Sequence, residues 1–115
     1  TNAPYGYILT VEGDTLKKGA DEITEIGGSN TTPPVGTNAF GIRLVATGGS
    51  GTVTAPYDGS GFAYNATVSP VEIARATTGD DVTTTYSVRA AATIAPTLHP
   101  GSYATSLTYV ATATF

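Results

Sequence analysis

The chain has 115 residues and a net charge of −4, and charged residues make up 12% of it, about half the share usual in a soluble domain. This length suits a single domain spanning residues 1–115. Cys, Met and Trp are absent, which excludes a disulfide framework and a thiolate metal site and suits a chain exposed outside the cell. The five basic residues form no stripe that would neutralise phosphates, and no apolar run is long enough to span a membrane, so neither nucleic acid nor a membrane span is expected.

Strand signals dominate, because apolar and polar residues alternate in one short segment after another. The alternation predicts seven strands: Tyr7–Glu12, Ala39–Thr47, Thr52–Tyr57, Phe62–Val68, Val71–Thr77, Val82–Ile94 and Ser102–Phe115. Turn residues such as Asp58–Gly61 and Thr78–Asp81 separate them at the spacing of a sandwich or barrel. The remaining long segment, Asp14–Val35, is interpreted as a loop with one short helical turn within Leu16–Ile26.

The last predicted strand, Ser102–Phe115, has one apolar face and one Thr-rich face, since side chains alternate across a strand. We expect the apolar face to be buried up to Phe115, and we expect Val82–Ile94 to be the antiparallel partner through a turn at Pro96–Gly101. The predicted core comprises Leu9, Val11, Phe40, Ile42, Leu44, Val53, Val68, Ile73, Tyr86, Val88, Leu107, Tyr109 and Phe115.

Catalytic residues are not predicted. The only His, His99, lies between Leu98 and Pro100 in a predicted turn, where a solvated role is expected rather than that of a general base. The neighbouring Asp80 and Asp81 fall in another predicted turn, where both carboxylates should face water instead of forming an acid–base pair. The sequence therefore predicts no enzyme and no cofactor.

Carboxylates in the loops are the candidates for calcium binding, because calcium prefers oxygen ligands. They are Glu12, Asp14, Asp21, Glu22, Glu25, Asp58, Asp80 and Asp81. None of them follows the D-x-D-x-D-G spacing of a calcium loop, so the predicted metal site is none and solvated loop residues are favoured.

Two kinds of sugar contact remain open. Asn30-Thr31-Thr32 and Asn65-Ala66-Thr67 match the acceptor pattern for N-linked glycans, although chance matches in a Thr-rich chain are favoured. Recognition of surface glycans would instead need exposed aromatic platforms, for which Tyr5, Tyr57 and Tyr64 are the candidates near strand ends.

Three segments carry a family resemblance. They are Thr1–Val11 (TNAPYGYILTV), Val35–Leu44 (VGTNAFGIRL) and the paired ending Gly79–Thr114. Together they resemble the Ig-like β-sandwich domains of secreted bacterial surface and filament proteins, which are pilin-like. The segment Pro100–Tyr103 is similar to the start of the last strand in spore-coat-U-type pilins. The resemblance implies an all-β, antiparallel, Ig-like sandwich of about seven strands, at the cell surface or outside the cell, with a structural or adhesive role.

From this resemblance we expect a structural subunit of an extracellular filament or pilus that polymerises by donor-strand-type β-strand addition, with other copies of itself as partners. Related sequences have a further strand before the Thr1–Val11 segment, so we expect one open edge of the sandwich here. The donated strand is expected to be Thr1–Val11, or else Tyr103–Phe115. The expected interface residues are Tyr5, Tyr7, Ile8, Leu9, Val11, Tyr103, Leu107, Tyr109 and Phe115. The alternative is a stalk or adhesin module of a larger cell-surface protein that binds glycans.

Overall fold

The computed structural model describes residues 4–79 and 82–115, and over these ranges it contains strands and one 3-10 turn, Ala66–Val68. The strands are β1 Tyr7–Glu12, β2 Leu16–Lys18, β3 Asp21–Ile23, β4 Gly27–Thr31, β5 Ala39–Gly48, β6 Thr52–Val53, β7 Phe62–Tyr64, β8 Val71–Ala76, β9 Thr84–Thr93 and β10 Thr108–Ala113. The predicted turn residues Asp80 and Asp81, and Thr1 at the start of the predicted donor strand, lie outside the described residues.

Eight of these strands form two antiparallel four-stranded sheets. The order in sheet 1 is β10-β1-β8-β6, and the order in sheet 2 is β4-β7-β5-β9, while β2 and β3 form a separate hairpin. Residues from both sheets meet in one buried cluster, so the sheets pack face to face. The predicted all-β antiparallel sandwich is confirmed, and the predicted seven strands are close to the eight that make up its sheets.

The core lies between the central strands of the two sheets. Val11 of β1 and Ile73 of β8 are fully buried, and they meet Phe40, Ile42 and Leu44 from β5. Burial of each such side chain contributes about 1.5–3 kcal/mol relative to exposure. These five residues were predicted correctly from parity, and they hold the two sheets together along the middle of the sandwich.

Four residues predicted for the core are instead exposed. The exposed fractions are 56% for Val68, 41% for Val88, 43% for Tyr109 and 83% for Phe115. Val68 lies in the 3-10 turn, where alternation of side chains does not apply. The other three lie on the edge strands or beyond them, where parity assigns a residue to a face but no neighbouring strand covers it.

The partner predicted for the closing strand is wrong. β10 pairs with β1, in a register that joins Tyr7 to Ala113 and Glu12 to Thr108, whereas β9 pairs with β5 over its whole length. The connection between β9 and β10 crosses from one sheet to the other. Its middle is held by two backbone hydrogen bonds of 3.0 Å between Lys17 and Ala104, so β10 begins at Thr108 instead of Ser102.

The predicted loop at Asp14–Val35 also differs, because it contains β2, β3 and β4, and the described residues there form no helical turn. Leu16 lies directly opposite Ile23 in the β2–β3 hairpin. Gly19 has a φ of +62°, the left-handed conformation that a tight hairpin loop requires. Leu16 and Ile23 are seven residues apart, which also matches the spacing of one helix face. In the structure they are instead a pair across the two strands of the hairpin.

Candidate functional site

The free edge of sheet 1 is the most distinctive surface of the molecule. Among the described strands, β10 pairs with β1 alone. Ala113, Ala111 and Tyr109 lie opposite Tyr7, Leu9 and Val11, so they face the interior of the sandwich with those residues. All six residues of β10 are nevertheless exposed. The inward face of β10 is therefore not covered by other parts of the described chain.

A groove of about 320 Å³ lies beside this edge, between the two sheets. It is lined by Tyr7, Leu9, Thr83, Thr84, Tyr86, Ala111 and Ala113. We call it the edge groove. Among the described residues its lining has no charged side chain, and its inward residues on β10 are alanines, whose small side chains leave the groove open.

A pair of tyrosines connects the two sheets in the edge groove. The hydroxyls of Tyr7 and Tyr86 are 2.6 Å apart, and their rings meet edge to face at a centroid distance of 6.4 Å. Gly51 lies against both hydroxyls, and a Cβ at that position would collide with them. The hydrogen bond between the two tyrosine hydroxyls thus links the sheets at the groove. The lining of the groove therefore includes hydroxyl groups as well as apolar surface.

β9 borders the groove from sheet 2, in which it is the last strand. Val88, Ala90 and Ala92 lie opposite the core residues Leu44, Ile42 and Phe40, so their side chains point inward, yet all three are exposed. The inward faces of both edge strands are therefore incompletely covered on the same side of the sandwich.

The predicted interface residues fall into three environments. Tyr7 and Leu9 line the edge groove, and Tyr109 lies on the same inward face of β10. Val11 is fully buried, and Tyr103 and Leu107 pack against the core. Tyr5, Ile8 and Phe115 are exposed. Sequence reasoning missed Ala111 and Ala113 as groove residues, although their parity in the closing strand marked them as inward.

The expected donor strand occupies the middle of its own sheet. β1 is paired with β10 on one side and with β8 on the other. Donating Tyr7–Val11 to another subunit would break both ladders and remove Val11 from the core. The two ladders and the burial of Val11 weigh against the predicted donation of β1.

An open acidic cleft of about 660 Å³ lies at the opposite end of the β1–β10 pair, where Glu12 meets Thr108. Its carboxylates are Glu12, Asp14, Glu22 and Glu25. Lys17 lies 2.7 Å from Asp14 and 3.8 Å from Glu22, and its hydrogen bond to Asp14 lowers the pKa of that carboxyl. The described residues contain no group of three or more His, Asp or Glu arranged to hold a metal ion.

His99 has a structural contact. Its Nδ1 is 2.9 Å from a carboxylate oxygen of Asp21, and the Tyr103 hydroxyl donates to the His99 carbonyl at 2.6 Å. The pair joins the β9–β10 connection to the β2–β3 hairpin. The geometry places His99 in a bridge between two surface segments.

The tyrosines expected as glycan platforms are mostly inaccessible. Tyr57 is 2% exposed and Tyr64 is fully buried, and burial raises the pKa of both phenols. Tyr64 donates a hydrogen bond of 2.5 Å to the Gly13 carbonyl. Of the three candidates only Tyr5 is exposed, so the predicted aromatic platform is not assembled.

Comparison with protein-family models, curated proteins and solved structures finds no match to this chain. Within residues 4–79 and 82–115, no helix is long and apolar enough to cross a membrane.

Proposed function

We propose that this chain is a structural subunit of an extracellular filament or pilus, and that a β-strand from one copy pairs with β10 of the next. The observation that carries the proposal is the inward face of β10, which is apolar and exposed beside the edge groove. An edge strand offers unpaired backbone N–H and C=O groups that can template an added strand.

The edge groove gives such a strand its specificity. An added strand beside β10 extends sheet 1, and its alternate side chains point into the groove over Ala111 and Ala113. Alanines at these positions favour an incoming segment with large apolar side chains at every second residue. A head-to-tail contact of this kind generates an open filament when its repetition does not close into a ring, which is the outcome proposed here.

The charge distribution agrees with close stacking of subunits. The described lining of the edge groove has no ionisable group other than tyrosine, whereas four carboxylates line the cleft at the other end of the β1–β10 pair. Removing an unpaired charge from water into an interface costs several kcal/mol, on the order of the desolvation penalty measured for buried ions in proteins. A contact at the groove avoids that cost.

The second candidate is a stalk or adhesin module of a larger cell-surface protein. Its support is the elongated shape of the domain, which measures 50 × 25 × 20 Å between Cα extremes. A module of this kind would contribute length and would not assemble by itself.

Two substitutions on neighbouring residues of β10 test the filament. Ala111→Arg places a charge on the inward face at the groove, while Thr112→Arg places the same charge on the outward face of the same strand. Negative-stain microscopy should show fibres for the Thr112→Arg variant and for the natural chain. For Ala111→Arg the protein concentration needed for assembly should rise by about tenfold or more, equivalent to about 1.4 kcal/mol.

Both positions are exposed, so thermal unfolding of the two variants should stay close to that of the natural chain. Fibres of Ala111→Arg that form at the natural concentration would contradict strand addition at β10. A natural chain that remains monomeric at all concentrations would favour the module. Deletion of Thr1–Val11 is not a suitable test, because it removes the strand in the middle of sheet 1.

A further inference from the structure

The two candidate glycan acceptors, Asn30 and Asn65, have opposite local structures. Both sequences satisfy the N-x-T pattern, so the pattern alone does not separate them. Transfer of a glycan forms a bond to the carboxamide nitrogen, so an asparagine whose nitrogen already donates a hydrogen bond within the fold must first give up that contact. Among the described residues, the two asparagines differ in whether this nitrogen has a hydrogen-bond partner.

Asn30 is a structural residue. Its Nδ2 donates to the Pro56 carbonyl at 2.8 Å, and its Oδ1 accepts from the Gly61 amide at 3.0 Å. A Cβ added at Gly59 would meet all three end atoms of this carboxamide at 2.6–2.7 Å. Asn30 is exposed, but its nitrogen is engaged by backbone, and a sugar on it would displace the segment that connects β6 to β7.

Asn65 has the reverse arrangement. Its Oδ1 accepts from the Thr67 hydroxyl at 2.6 Å and from the Thr67 amide at 3.1 Å, which brings the required hydroxyl against the carboxamide. No described residue accepts a hydrogen bond from its Nδ2. Asn65 is half-buried, and Thr67 and Val68 after it are exposed, so the turn lies at the surface and no hydrogen bond of the fold has to break at this nitrogen.

We propose that Asn65 is an acceptor site for an N-linked glycan in the folded protein and that Asn30 is not. The donor is a lipid-pyrophosphate-linked oligosaccharide. A bond forms between Nδ2 of Asn65 and the anomeric carbon of the first sugar, and the bond from that carbon to the pyrophosphate oxygen breaks. The lipid pyrophosphate leaves with the electron pair, and the amide proton passes to a carboxylate of the transferase.

The position of Asn65 makes this modification independent of the proposed filament. Ala66, Thr67 and Ser69 line the acidic cleft, which lies at the end of the β1–β10 pair away from the edge groove. A glycan on Asn65 would therefore extend from the cleft end, and β10 would stay accessible near Ala111 and Ala113.

The experiment uses the purified folded chain, a purified single-subunit oligosaccharyltransferase and a lipid-pyrophosphate-linked oligosaccharide. Intact mass and peptide mapping then give the occupancy of each asparagine. We expect occupancy at Asn65 to exceed that at Asn30 by about tenfold or more, equivalent to about 1.4 kcal/mol. Isolated peptides that contain each site should both be modified, because neither has the contacts of the fold.

Three variants separate the site from general effects. Thr67→Ala should abolish the added mass and Thr67→Ser should keep it, since serine retains the hydroxyl. Thr32→Ala removes the acceptor pattern at Asn30 but keeps the Asn30 hydrogen bonds, and it should leave the added mass unchanged. Comparable occupancy of Asn30 in the folded chain, an unmodified Asn65, or persistence of the glycan in Thr67→Ala would each overturn the proposal.

Discussion

β1 and β10 are neighbouring strands of equal length, and their environments differ. Each has six residues, and the two pair with each other throughout. β1 has a partner on both sides and contributes the fully buried Val11, whereas β10 has β1 on one side and is exposed along its whole length. Alternation thus reports which face a residue belongs to, while its burial depends on the place of the strand in the sheet.

The end of β1 is also joined to its surroundings by side chains. The Tyr64 hydroxyl donates to the Gly13 carbonyl, and the Gly13 amide donates to the Ser69 hydroxyl at 3.1 Å. β10 has a weaker side-chain contact, from the Thr10 hydroxyl to the Val110 carbonyl at 3.5 Å. The strand that is closed on both sides is therefore also the one with the stronger side-chain ties.

The largest expected effect tests this contrast with two valines. Val11→Ala removes two buried methyl groups and leaves a cavity, so we expect a loss of about 2–3 kcal/mol in the free energy of unfolding. Val110 lies on the outward face of β10 and is 44% exposed, so Val110→Ala should cost no more than about 0.5 kcal/mol. Urea unfolding of both variants, with unchanged m-values, measures the difference.

Equal losses for the two valines would contradict the contrast, because they would mean that the outward face of β10 is covered in solution. If assembly buries Val110, its loss should grow with protein concentration, whereas that of Val11 should not. Repeating the unfolding of the Val110→Ala variant over a range of concentrations distinguishes a covered monomer from a covered filament.

Much of the fold could be predicted from sequence. The bounds of β1 agree with the prediction, and those of β5 and β8 agree to within one residue. Strict alternation in these strands identifies the buried face, because a shift of the strand register by one residue would turn the apolar side chains from the core to solvent. The β2–β3 hairpin was missed, since its strands have three residues each and so short a segment does not separate a period of two from one of 3.6.

The edge groove was harder to predict. Parity identified Tyr7 and Leu9 as inward, but the pairing of β10 with β1 depends on a long-range contact that the sequence does not encode locally. The crossing between sheets rests on the Lys17–Ala104 bonds, which join segments far apart in the chain. Because the sequence does not show that β10 lies at the edge of sheet 1, it does not show where the edge groove lies.

A smaller effect is expected from the tie at the end of β1. Tyr64→Phe leaves the Gly13 carbonyl without its partner, which should cost about 1–3 kcal/mol at neutral pH. Burial raises the pKa of Tyr64 above its ordinary value of 10. The stabilising contribution of the neutral phenol is therefore complete below pH 10, and it is lost as the pH rises through the value in the folded state.

The stabilities of the natural chain and of Tyr64→Phe should accordingly converge above pH 10, because only the natural chain has to accommodate or neutralise this phenolate. Urea unfolding of both proteins at neutral and at alkaline pH measures the difference in their free energies of unfolding at each pH. A gap that stays constant through alkaline pH would show that the Tyr64 phenol does not titrate differently in the folded and unfolded chains.

The smallest effect concerns β8, the other neighbour of β1. Glu72 accepts from Nε of Arg75 at 2.8 Å and from the Thr54 hydroxyl at 2.6 Å, and these bonds, the one from Arg75 first, lower the pKa of Glu72 below its ordinary value of 4.5. The carboxylate therefore stabilises the fold above pH 4.5, and this contribution is lost as the pH falls through the lower value in the folded state.

Glu72→Gln should cost at most about 1 kcal/mol at pH 7, since the pair with Arg75 is partly exposed. The difference from the natural chain should shrink as the pH drops below about 4.5, where the unfolded carboxyl already binds its proton. Thr54→Val is the matched variant, because it removes one hydrogen bond and keeps the charge pair. If the cost of Glu72→Gln were the same at acidic and neutral pH, Glu72 would stabilise the fold through packing and not through its charge. The pairing of β8 with β1 would then not depend on the ion pair with Arg75.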